Sequence, residues 1–125
     1  MPYQIHTNRE LGLMLKGVKP LAVFGDWYDN RSDVLERYLR VFDRHALIGA
    51  FVKREYVQWH QHGGWRGEHV FLYALPDQEW RIDAMIELRS NFSNWTADHE
   101  RKEGQLLGYE EWQNDIWIAS RNFTA

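Results

Sequence analysis

Apolar residues fall along the chain in blocks, and the spacing within each block predicts an element. Thr7-Asn8-Arg9-Glu10 reads as a capping box ahead of Leu11, Leu13, Met14 and Leu15, and Gly17 stops the run, which predicts a short helix over 8–16. Pro20 opens the unbroken run Leu21-Ala22-Val23-Phe24, which suits a buried strand. Gly25-Asp26 ends it, and Asp29, Asn30 and Ser32 mark a polar loop. Asp33 with Glu36 signals a second helix start. Val34, Leu35, Tyr38, Leu39, Val41 and Phe42 then recur at helical spacing, with Gly49 as the terminator.

Two strands follow, at about 50–60 and 67–75, on either side of Gly63-Gly64. Pro76-Asp77-Gln78 is a turn. From Glu79 to Arg89 two periods overlap. Trp80, Ile82, Ala84, Ile86 and Leu88 alternate as in a strand, whereas Ala84, Met85, Leu88, Phe92 and Trp95 line one helical face. The expectation is one more short strand through Ile82, then a helix from about 84 to 92. Thr96 caps a helix from Ala97 to Leu107, closed by Gly108. A last helix, from about Tyr109, carries Trp112, Ile116 and Trp117 toward the core. The sum is a single α+β domain over 1–125: a small, mostly antiparallel sheet of about four strands with a central β-hairpin, covered by helices.

The hairpin concentrates the suggestive chemistry. Gly63 and Gly64 suit a two-residue type I′ turn, whose central positions need positive φ. His62 then faces Trp65, His60 faces Gly67, and Gln58 faces His69. With period-two alternation, one face collects Tyr56, Gln58, His60, His62, Trp65, His69, Phe71 and Tyr73. The other collects Phe51, Val57, Trp59, Val70, Leu72 and Ala74, together with Lys53, Glu55 and Glu68. A longer loop puts His69 on the opposite side from His60, so the grouping depends on the register.

Composition narrows the function classes. The 125 residues are 44% hydrophobic and 26% charged with a net charge of −3, which argues against nucleic-acid binding through a broad basic field. With no cysteine, disulfides, thiolate metal sites and a cysteine nucleophile are excluded. The N-terminal residues lack a basic stretch followed by an apolar run, and no run is long enough to span a bilayer, so the expectation is a cytoplasmic protein with no membrane partner. Asn91-Phe92-Ser93, Asn94-Trp95-Thr96 and Asn122-Phe123-Thr124 are formal glycosylation sequons, read here as chance.

Four groups carry candidate chemistry. His60, His62 and His69 on one hairpin face have the donor type and spacing for an open tetrahedral site holding a divalent transition metal such as zinc; the competing reading is a solvated tip and no cofactor. Tyr56, Trp65, Phe71 and Tyr73 form an aromatic face suited to a ligand, a protein partner or a second copy of the chain, unless helices cover it and make it core. Glu100, Glu103, Glu110, Glu111 and Asp115 read as a solvated helical face, with His99 and Glu103 i, i+4. Asp26 reads as a turn residue at a strand end. There is no Gly-x-Ser-x-Gly elbow, and Gly63-Gly64-Trp65-Arg66-Gly67 lacks the helix onset a phosphate loop needs.

No complete catalytic constellation emerges, and the catalytic residues are unknown. The expected function is therefore a cytosolic binding or protein-interaction domain that forms a homo-oligomer through an aromatic surface. The alternative is a metal-dependent hydrolase or lyase using the three histidines.

Overall fold

The computed structural model describes residues 9–61, 64–90 and 95–121. The elements run α1 (Glu10–Leu15), β1 (Leu21–Trp27), α2 (Asp33–Leu47), β2 (Val52–Gln61), β3 (Trp65–Ala74), a 3-10 turn (Pro76–Gln78), α3 (Trp80–Ser90), α4 (Ala97–Leu106) and α5 (Glu111–Ser120). The strands form a three-stranded antiparallel sheet in the order β1-β3-β2. The α+β class follows from the sequence, but the sheet has three strands among the described residues rather than about four.

The missing strand is the segment around Ile82. The 3-10 turn leads through Glu79, already helical at φ −58 and ψ −31, into α3 without an extended residue. Ile82 and Met85, three apart on one helical face, are its buried residues, while Trp80 stays exposed. The alternation of apolar residues there is incidental to packing. Ser32, not Asp33, caps α2: its side chain accepts from the Leu35 backbone N–H at 3.2 Å.

β3 is the centre of the molecule because it is buried on both faces. Val70, Leu72 and Ala74 pack with Leu21, Ile82, Met85 and Leu106. Phe71 and Tyr73 pack on the other face with Met14, Ala22, Leu35, Leu39, Phe42 and Phe51. Each large side chain so buried contributes roughly 1.5–3 kcal/mol. The Tyr73 hydroxyl stays satisfied by donating to Asp43 at 2.7 Å. This two-sided cover explains the continuous apolar run from Val70 to Leu75.

α4 and α5 pair through polar contacts. Trp112, Ile116 and Trp117 were expected to dock on the core, yet all three are exposed, and Asn114 is the buried residue of α5. The reason is Gly104: Asn114 lies so close to it that an added Cβ would overlap the amide. Arg101 bonds Glu111 at 2.9 Å and Asp115 at 2.7 Å, tying the pair at its rim. Arg81 donates to the carbonyls of Gln105 and Leu106, joining α3 to the end of α4.

Two predictions follow from this packing. Alanine is the better helix former, yet Gly104→Ala is expected to destabilise the domain by roughly 1–3 kcal/mol by forcing α4 and α5 apart. A urea midpoint equal to or above that of the parent would contradict the close approach. The second concerns Lys19, which is 2% exposed and donates to the Leu107 carbonyl at 3.0 Å. Burial lowers its pKa to about 8. Below that pH the amine is charged in both folded and unfolded chains. Between about pH 8 and 10 only the unfolded chain holds the proton, so stability rises with pH by up to about 2 kcal/mol. Urea midpoints at pH 7.5 and 9.5 should show the rise, and Lys19→Met should abolish it.

Candidate functional site

The β2–β3 pairing register sets what the sheet displays. Gln61 pairs with Trp65, Trp59 with Gly67 and Val57 with His69, so three residues, not two, connect the strands. Gly64, at φ 137, supplies the unusual backbone there. The register fits the side chains. A Cβ on Gly67 would lie 2.9 Å from Val57 Cγ1 and 3.2 Å from the Trp59 ring, so only glycine lets that indole cross β3.

One residue of slip relative to the expected pairing exchanges the faces of β3 against those of β2. His60 and His69 therefore lie on opposite faces of the sheet. His60 Nε2 is 3.1 Å from Glu68 Oε1, with its ring edge-on to Trp27 at 5.9 Å. His69 is stacked between Phe71 at 4.1 Å and Tyr28 at 5.5 Å, and its Nε2 lies 3.2 Å from Glu55 Oε1. His62 is outside the described residues. Among the described residues no three His, Asp or Glu side chains converge as a metal site.

The aromatic group is divided by the same slip. Phe71 and Tyr73 are core residues under α2. Tyr56 lies on the other face against the second core cluster, its hydroxyl buried without a hydrogen-bond partner and its pKa raised by burial. Trp65 is 68% exposed. Asp26 is a loop organiser: it accepts from the backbone N–H of Ser32 and of Trp27, both at 2.9 Å, and these bonds hold its carboxyl below the usual range. His99 serves its own helix start: its Nδ1 accepts from the Thr96 backbone N–H at 3.1 Å and completes the α4 cap.

Two surfaces result at the hairpin end of the sheet. On the face of Phe71 and Tyr73, beyond the cover of α2, Trp59 and Trp65 stand with Tyr28, exposed by 59%, 68% and 60%. Of these, Trp59 was expected on the mostly apolar face with Val70, Leu72 and Ala74, which should lie on the core, and Tyr28 carried no expectation. The signal for Trp59 was Gly67, the residue whose missing side chain makes room for it.

On the opposite face lies a cleft of about 610 Å³. Gln58, His60 and Glu68 form its floor, and the ends of α3 and α5 with the flank of α4 form its walls. Glu68 is held by His60 at 3.1 Å and lies 3.9 Å from Arg89. Glu100 accepts the indole N–H of Trp95 on one oxygen and that of Trp117 on the other, fixing both rings in the wall. Arg121 lies over the Trp117 ring, 5.3 Å from its centroid. Burial pushes the Glu103 carboxyl up, toward its uncharged form. Glu100 and Glu103 read in sequence as part of a solvated face. Nothing in their spacing shows that α4 would lean over the sheet with two tryptophans.

No protein family, curated protein or solved structure matches the chain. Among the described residues no helix is long and apolar enough to cross a membrane.

The register is testable through the Trp59–Gly67 contact. Gly67→Ala should destabilise the parent, while in a Trp59→Ala background the same change should cost less by about 0.5 kcal/mol or more. Additive effects in the double-mutant cycle would place Trp59 elsewhere.

Proposed function

We propose that the domain is a cytosolic interaction module that associates with a second copy of itself through the exposed aromatic end of the sheet. The observation that carries this reading is the set Trp59, Trp65 and Tyr28 on one face of the hairpin end, each more than half exposed. Monomeric proteins seldom leave large aromatics grouped on a surface, and tryptophan and tyrosine dominate interface energetics because they bury much area at little entropic cost. Trp59 comes from β2, Trp65 from β3 and Tyr28 from the turn after β1, so the surface is broad and open. The association proposed is about a two-fold axis, the commonest arrangement of homo-oligomers, in which the same patch meets itself. The absence of cysteine supports a reducing compartment.

Sedimentation velocity across a concentration series tests the reading. The parent should show reversible association, and Trp59→Ser or Trp65→Ser should weaken it roughly tenfold or more. Trp80→Ser, which removes a tryptophan 54% exposed on α3, should leave it unchanged. A monomer at every concentration, or equal weakening by all three variants, overturns the proposal.

A further inference from the structure

The cleft on the opposite face has a composition that the interaction reading does not use. Its volume, about 610 Å³, falls in the range of small-molecule sites. The charged groups it contains already have partners within it. Glu68 lies between His60 and Arg89. Both oxygens of Glu100 are taken by indole N–H groups, and the Arg121 guanidinium rests over one of those same rings. Arg89 sits near enough to Glu103 to favour its ionisation, against the stronger effect of burial. An ionic ligand would therefore have to displace existing ion pairs and hydrogen bonds.

What remains is hydrogen-bonding capacity of both kinds together with fixed aromatic surface. The amide of Gln58 donates and accepts, Arg89 only donates, and the carboxyl of Glu68 accepts. The Trp95 and Trp117 rings are held by their N–H groups, with His99 stacked on the first at 5.2 Å and Arg121 over the second, so both are ordered before binding and a ligand meets the face left open. A ligand that answers both features has hydroxyls, which donate and accept at once, and C–H faces that lie against indole. We propose that this cleft binds a neutral polyhydroxylated molecule, a sugar or a cyclic polyol.

The indole ¹H–¹⁵N resonances of the full chain give a local readout, because each of the seven tryptophans reports separately. The probes are D-glucose, D-galactose, D-mannose, D-ribose, maltose and cellobiose, with choline and glucose 6-phosphate as charged comparators. At least one neutral sugar should shift Trp95 and Trp117 saturably and leave Trp59 and Trp65 unmoved. Trp117→Leu should weaken that binding roughly three- to tenfold. Gln58→Ala, on the sheet and away from the helix contacts, should weaken it as well. The proposal is overturned if no sugar shifts the two cleft resonances, if a charged comparator binds more tightly than every sugar, or if Trp117→Leu and Gln58→Ala both leave the affinity unchanged while the variants remain folded by circular dichroism.

Discussion

The parity of the β2–β3 register is the constraint on which the rest of the structure depends. Side chains alternate across a sheet, so pairing Trp59 with Gly67 decides at once that Lys53, Glu55, Val57 and Trp59 share a face with His69, Phe71 and Tyr73. Each choice is consistent with its surroundings. Lys53 on that face reaches Asp43 of α2 at 2.8 Å and Glu55 at 3.2 Å. Arg54 on the other reaches Asp83 of α3 at 2.5 Å and Glu79 at 3.1 Å. A slip by one would carry Phe71 and Tyr73 over to the face of Arg54 and Tyr56, or strip them of the α2 core. These ion pairs are partly exposed and individually weak, but they agree with the packing about which face is which.

Strand length turns that constraint into exposed chemistry. β2 and β3 have ten residues each, roughly 33 Å of chain, whereas the eleven residues of α3 span only about 16 Å. Helices cover the end of the hairpin near Val52 and Ala74, where the core clusters lie. The Gln61–Trp65 end runs on beyond them. One face there is left with Trp59 and Trp65 in the open. The other is overhung by α4 and α5, which stand off it because their mutual contact is made by Gly104 and Asn114 and by the Arg101 ion pairs, not by an apolar seam against the sheet. The space beneath is the cleft.

The elements with local causes were legible in the sequence. α1, α2, α4, β2 and β3 lie close to where capping residues, glycines and apolar spacing put them, because each is specified by residues within it; β1 starts where Pro20 put it but runs on through Gly25 and Asp26 to Trp27, held by its pairing with β3. α3 was read partly as a strand because Trp80, Ile82, Ala84, Ile86 and Leu88 satisfy a period of two by coincidence; only the cover provided by β3 and Leu106 selects the helical face of Ile82 and Met85. The sites were hardly legible. Gly63-Gly64 suits a two-residue turn locally, and the decision for a three-residue connection rests on the Trp59–Gly67 contact across the strands. A tertiary preference of that kind leaves no periodic trace.

The same reasoning separates the two surfaces in kind. An exposed tryptophan at a hairpin end gains by being covered, which is the energetic position of an interface residue. Trp117 is held differently: its N–H is committed to Glu100, a guanidinium lies on its ring, and α5 anchors its backbone. Order already established in the free protein need not be created on binding, so a wall of this kind favours a small ligand with few contacts of its own to offer. The sheet thus presents a surface that gains from burial by a large partner and, through its thickness, a preorganised recess that gains little from one. Both arise at the end of the hairpin that runs on beyond the packed core.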